Sequence, residues 1–172
     1  MSTSTLNIGF VGGAPNSAAG YAHFVASRLD RQWDLQAGVF STHADINKNA
    51  AETYGVSEDR TYESLTELLE RETGKLDAVA ILTPTPLHHE MVITCLKAGI
   101  PVICEKALAL SSAEIQQIIQ VRNEVHGFLA VTFNYSGYPM VREMREMIRK
   151  GLLGKILHFQ AEMPQEETED GE

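Results

Sequence analysis

The residues best suited to chemistry lie in Val102–Leu108, which reads Val-Ile-Cys-Glu-Lys-Ala-Leu. A short β-rich run, Pro101–Cys104, delivers Glu105 and Lys106 to its carboxyl end. Ligands of open α/β sheets bind at the carboxyl ends of strands, so an acid–lysine pair there is a candidate site. A lysine in that place can orient a hydroxyl and share its proton if burial or a neighbouring positive charge lowers its pKa. The plain alternative is an exposed ion pair in a loop.

A second constellation sits near the amino terminus. The apolar run Leu6–Val11 ends in Gly12-Gly13, followed by Ala14-Pro15-Asn16-Ser17-Ala18-Ala19-Gly20. Ala18, Ala22, Val25 and Leu29 then recur at helical spacing, with Asn16 or Ser17 as the N-cap. Strand, glycine turn and helix suit a dinucleotide pyrophosphate: glycines admit close backbone approach, and the helix start offers free N–H groups and a positive dipole end. The spacing is irregular, because Gly12 to Gly20 spans eight positions where Gly-x-Gly-x-x-Gly spans five. A βα turn can also hold glycines without any ligand.

Two further stretches could contact a cofactor. The run Leu35–Phe40 ends in Ser41-Thr42-His43, with neither an acid nor an arginine at its tip. An acid there would select NAD through the ribose. Asp45 lies beyond the tip, either as a ribose ligand or as a cap for a helix through Tyr54. Ser41 and Thr42 tolerate a 2′-phosphate, so NAD and NADP both stay open. Thr83-Pro84-Thr85-Pro86 is a turn that cannot lie inside a strand. His88-His89-Glu90 opens the helix after it, and His88 is either a ligand contact or a polar helix start. Adjacent helical histidines point about 100° apart, so no shared metal is expected.

The elements that position these residues alternate. Strands are expected at Leu6–Val11, Leu35–Phe40, briefly at Arg60–Tyr62, and at Asp77–Leu82, Pro101–Cys104 and Phe128–Thr132. Helices fall between them, including Ser64–Thr73 and Ala113–His126, each followed by glycine. Strands apolar on both faces imply a parallel sheet covered on both sides, an α/β doubly wound Rossmann fold over residues 1–133. Residues 134–154 read as a loop and an amphipathic connecting helix, Met140–Leu153. Lys155–Met163 alternates like a half-buried strand of a different sheet, before an acidic tail. A lone strand cannot satisfy its own backbone, so residues 155–172 are expected to begin a second domain without completing it.

Composition narrows the function classes. The chain has 172 residues, 44% hydrophobic and 22% charged, the make-up of a globular domain with a real core. Its net charge of −9, without a Lys/Arg cluster, argues against a nucleic-acid partner. No apolar run has the length of a membrane span, and the first residues lack a secretory signal's pattern. Cys95 and Cys104 lack metal-ligand spacing and suit buried thiols in a reducing cytoplasm.

Taken together, Gly9-Phe10-Val11-Gly12-Gly13, Ala37-Gly38-Val39-Phe40-Ser41, Thr83-Pro84-Thr85-Pro86-Leu87-His88 and Ile103-Cys104-Glu105-Lys106 resemble the Gfo/Idh/MocA family of NAD(P)-dependent oxidoreductases. Tyr138-Pro139-Met140-Val141 and Gly151-Leu152-Leu153-Gly154-Lys155-Ile156 extend the likeness to about residue 165. The resemblance implies an NAD or NADP cofactor and hydride transfer to or from a sugar- or cyclitol-like alcohol. It makes Lys106 the candidate catalytic residue. The expected cofactor contacts are Gly12, Gly13, Pro15, Asn16, Ser17, Gly20, Ser41, Thr42, Thr83, Pro84, His88, Glu105, Lys106 and Asn134. It further implies a second domain supplying most of the substrate pocket, of which this sequence carries only the beginning. Ala107 replaces the family's proline after the lysine, where the bond is typically cis. Without proline, a trans Lys106–Ala107 peptide is expected, with Lys106 displaced. The chain alone is therefore expected to bind a dinucleotide without turnover, and either to self-associate through residues 155–172 or to show fast hydrogen exchange across them as a monomer. The competing reading is a non-catalytic dinucleotide-binding module or subunit.

Overall fold

The computed structural model describes residues 5–29 and 31–162. The acidic tail and Met163, the last residue of the expected Lys155–Met163 strand, lie outside the described residues. The chain divides at Phe133/Asn134 into two compact units.

The first unit is built on five parallel strands. β1 (Leu6–Gly12), β2 (Trp33–Val39), β3 (Ala78–Leu82), β4 (Val102–Glu105) and β5 (Leu129–Thr132) lie in the order β2-β1-β3-β4-β5. The order reverses between β1 and β3. Helices connecting to opposite faces diverge there and leave a crevice beyond the strand ends. The helices are α1 (Ala18–Leu29), α2 (Ala44–Tyr54), α3 (Leu65–Glu72), α4 (His88–Lys97) and α5 (Ser112–Glu124).

Strand alternation sorts the core into two layers. Ile8, Phe10, Leu35, Ala80 and Leu82 pack with Ala50 and Tyr54 of α2 and Phe24 of α1. Val11, Val39, Val79, Ile81, Val102 and Cys104 pack on the other face with Leu68 of α3, Val92, Cys95 and Leu96 of α4, and Ile118 of α5. Every residue of β3 is buried, as expected of a central strand covered on both sides. Burial pushes the Cys95 and Cys104 thiols up to about 12, so both are inert neutral groups at neutral pH. Ser64 and Ser111 cap α3 and α5, each accepting the N–H three residues on.

Two local expectations are corrected. Arg60–Tyr62 does not form a strand. Glu58–Arg60 is a 3-10 turn, and only an isolated bridge joins Thr61 to Gly38. Arg60 is turned instead to the carboxylate of Glu72. Asp45 does not cap α2: His43 holds that position without a side-chain bond, and Asp45 is exposed in the first turn.

The second unit contains a 3-10 turn, Asn134–Gly137, and α6 (Pro139–Arg149), with turns running on to Leu153. Pro139 is the first residue of α6, where a missing N–H costs nothing. The expected strand from Lys155 is absent: residues 155–162 are irregular and exposed. Alternation supplies one apolar face but no partner for the backbone, and no neighbouring strand pairs with them among the described residues.

Candidate functional site

A cleft of about 830 Å³ opens at the carboxyl ends of β1, β2, β3 and β4. Of the residues expected from the sequence, Gly12, Gly13, Asn16, Ser17, Ser41, Thr42, Thr83, Pro84, Glu105 and Lys106 line it. The strand order explains the convergence: every one lies at, or just beyond, the end of a strand near the reversal.

The glycine turn forms one wall. Gly12 and Gly13 have φ of +79° and +75°, a conformation side chains rarely allow. A Cβ at Gly13 would lie 2.6 Å from Leu82 Cδ1. At Gly20, a Cβ would come within 2.0 Å of the Gly13 carbonyl oxygen, so Gly20 lets α1 press directly on the turn. The longer glycine spacing is absorbed by a tight bend, in which Ser17 N–H donates to the Ala14 carbonyl at 2.7 Å. Ser17 Oγ then accepts from Gly20 N–H at 3.3 Å, making Ser17 the capping group. Pro15 shapes this bend without lining the cleft, and Gly20 is buried behind Gly13. The Tyr54 hydroxyl of α2 donates to the Gly13 carbonyl at 2.8 Å and fixes the turn from behind.

Asn47, buried in α2, holds the β2 tip. Its Oδ1 accepts from Phe40 N–H at 2.7 Å, while its Nδ2 donates to the Tyr62 carbonyl at 2.8 Å. Ser41 and Thr42 therefore face the cleft from an anchored loop, whereas Asp45 is not among the lining residues.

The lysine turn forms the far wall. Glu105 ends β4, and its Oε1 lies 2.8 Å from both Thr132 Oγ1 on β5 and His23 Nε2 on α1. The Lys106 N–H donates to Glu105 Oε2 at 3.1 Å. Burial raises the Glu105 pKa, but the bonds from His23 and Thr132 outweigh it and hold the carboxyl below its ordinary value. Lys106 is the only cationic residue lining the cleft among the described residues.

One expectation about this turn is corrected, and one residue lies apart from the cleft. His88 is not among the residues that line it. It is fully buried, with Nε2 2.7 Å from the Thr83 carbonyl and Nδ1 2.7 Å from the Ala107 carbonyl. The ring bridges the Thr83-Pro84 turn to the lysine turn; a neutral imidazole donates to one of the two carbonyls and an imidazolium to both. The Lys106–Ala107 peptide is cis rather than trans. Local preference assumed a free peptide, whereas this one is flanked by Lys106 N–H on the neighbouring Glu105, itself held by His23 and Thr132, and by the Ala107 carbonyl against His88. Asn134 opens the second unit, in its 3-10 turn. His23, Asn47, Tyr54 and Thr132 escaped sequence reasoning. Only Thr132 carried a usable signal, as a polar residue closing an apolar strand.

No group of three or more His, Cys, Asp or Glu residues able to hold a metal occurs among the described residues. No helix among them is long and apolar enough to cross a membrane.

A parallel sheet reversing its strand order at a glycine turn, with a helix start at the crevice, defines a dinucleotide-binding Rossmann domain. Residues 6–133 match the model of the Gfo/Idh/MocA oxidoreductase family, described as having an NAD-binding Rossmann fold, and the chain belongs to that family. It is 35% identical over 150 residues to an uncharacterized oxidoreductase, YfiI, of Bacillus subtilis, covering 85% of this chain and 38% of that protein. It is 31% identical over 97 residues to myo-inositol 2-dehydrogenase of Thermotoga maritima, covering 56% of this chain and 28% of the relative. An inositol dehydrogenase homolog from Azotobacter vinelandii, solved with NADH and myo-inositol, superposes with a TM-score of 0.83 at 29% identity, covering 88% of this chain and 41% of its own. The chain thus spans well under half the length of these relatives.

Proposed function

We propose that this chain is the cofactor-binding part of an oxidoreductase that transfers a hydride between a nicotinamide dinucleotide and a secondary alcohol of a sugar or cyclitol. The observation carrying this reading is the single cleft that joins the glycine turn, the α1 start and Lys106. Its residues fit the cofactor. The positive-φ glycines leave room for a pyrophosphate, and the first N–H groups of α1 have no intrahelical acceptor. Gly12, Gly13, Asn16 and Ser17 would hold that group, with Gly20 and Pro15 shaping the bend. Ser41 and Thr42 would meet the adenosine ribose; the missing acid leaves NADP open beside NAD. Thr83, Pro84 and Glu105 would flank the nicotinamide, and Asn134 joins them on the family resemblance alone.

Bound dinucleotide supplies the hydride acceptor or donor. Lys106 is the candidate catalytic residue: its ammonium orients the reacting hydroxyl and shares in moving its proton. Near-attack geometry needs the alcohol carbon held against the nicotinamide. The cleft lining contributes only Glu63, Glu105 and Lys106 as titratable groups among the described residues. The 172-residue chain alone is therefore expected to bind cofactor without oxidising polyols. The substrate class draws support from the myo-inositol named for the relatives. The buried thiols suit a reducing, cytoplasmic setting.

Calorimetric titration with NADH and NADPH tests the placement. The parent chain should bind at least one of them, and Gly13→Val, which drives a branched side chain into Leu82, should weaken binding at least about tenfold. Unchanged affinity in that variant rejects the pyrophosphate site. Polyol oxidation by the purified chain, abolished in Lys106→Ala, would reject the division of labour between this chain and a further domain.

A further inference from the structure

The hydrogen bond between His23 of α1 and Glu105 of β4 has no place in a list of cofactor contacts, yet it joins the two walls of the cleft. Period-two alternation puts Glu105 on the same face of β4 as Ile103, the face that α1 packs against, while Val102 and Cys104 turn to the other. Parallel register sets Thr132 beside Glu105. His23 reaches the same carboxylate oxygen from the second turn of α1, its ring edge-on to Phe10 with centroids 6.4 Å apart. The side chains of His23 and Glu105 are only 20% and 18% exposed, so water competes weakly for the contact.

We propose that His23 is a positioning residue that braces the Glu105–Lys106 turn against the phosphate-binding helix. The inference rests on the dinucleotide reading above and goes beyond it by coupling two ends of the site. Glu105 Oε1 is taken by His23 and Thr132, which leaves Oε2 to hold the Lys106 N–H. Losing His23 frees the carboxylate to rotate, and the turn carrying Lys106 loses its fixed position. The α1 start is untouched, because its cap is Ser17 and its turn is held by Tyr54. Contacts at the nicotinamide end therefore suffer, while those to adenosine and pyrophosphate do not.

The test compares NADH with ADP, which carries the adenosine and pyrophosphate but no nicotinamide, by calorimetry on the purified chain. His23→Leu should weaken NADH about tenfold and ADP by less than about twofold. His23→Gln, whose amide can donate to the same oxygen, should restore NADH affinity to within about threefold of the parent. Circular dichroism checks that each variant is folded. Thr132→Val, which removes the other donor to Oε1, should show the same NADH-specific loss and replaces His23→Leu if that variant does not fold. Unchanged NADH affinity, equal losses for NADH and ADP, or failure of His23→Gln to rescue each overturns the brace. A parent chain that binds neither NADH nor NADPH overturns the dinucleotide reading and the brace with it, an outcome visible before any variant is made; one that binds NADPH alone is tested with NADPH against 2′-phospho-ADP.

Discussion

His88 shows how a fully buried residue can join two turns of a site. Its ring is enclosed between them, with Nε2 facing the Thr83 carbonyl and Nδ1 the Ala107 carbonyl. Replacing it by leucine keeps the bulk but removes the ring's N–H donors to these part-buried carbonyls, at a cost of about 1–3 kcal/mol for a group left unpaired. His88→Leu is expected to lose about 1–3 kcal/mol of stability, read as a lower urea midpoint at constant m-value. Full stability in the variant would mean that water satisfies both carbonyls. A polar pair at the start of a helix could be read from the sequence, but not which histidine turns inward. That depends on where the β4 turn arrives, some twenty residues later in the chain.

Among the elements, β2 and α3 are joined by the most buried charge in the described structure. Arg60 clamps the Glu72 carboxylate through Nε and Nη2 at 2.9 and 2.6 Å, and the Tyr62 hydroxyl donates to the same group at 2.6 Å. Arg60 Nη1 reaches Gln36 of β2, also at 2.6 Å. Burial pushes the Glu72 pKa up, but these donors prevail and hold it below its ordinary 4.5. Burial and the bond to Glu72 push Tyr62 up to about 12. A carboxyl depressed in the folded state stabilises above its ordinary pKa and loses that contribution as pH falls through the folded value. Glu72→Gln should therefore cost about 2–3 kcal/mol at pH 7, with the difference from the parent shrinking towards about pH 3. Denaturant titrations at both pH values measure it; a pH-independent difference would show that packing, not charge, is lost.

For the whole molecule, the two units differ in what they bury. The first has two apolar layers around a fully covered central strand. In the second, α6 leaves Met140, Val141, Met144 and Ile148 exposed, and Leu157 and Phe159 follow at 84% and 67% exposure. Exposed apolar surface of this kind favours association. Deleting residues 155–172 should leave dinucleotide affinity within about twofold, because the cleft lies wholly in the first unit, and should reduce self-association in sedimentation velocity. A shortened chain that sediments as the parent does would exclude these residues as the contact.

The sequence by itself determined the alternation of strands and helices, and with it the parallel sheet and the crevice at the strand ends. Hydrophobic period and glycine punctuation are local properties, and they sufficed to bring Gly12, Ser17, Ser41, Thr83 and Lys106 to one cleft. Tertiary structure decided what depends on partners distant in the chain. Tyr54 fixes Gly13 across 41 positions, and His23 meets Glu105 across 82. The isomer of the Lys106–Ala107 peptide belongs to the same class, since its neighbours are held by side chains that local preference does not see. The Lys155 segment fails as a strand for the complementary reason. Alternation writes a face into the sequence, but a strand exists only when another backbone supplies its hydrogen bonds.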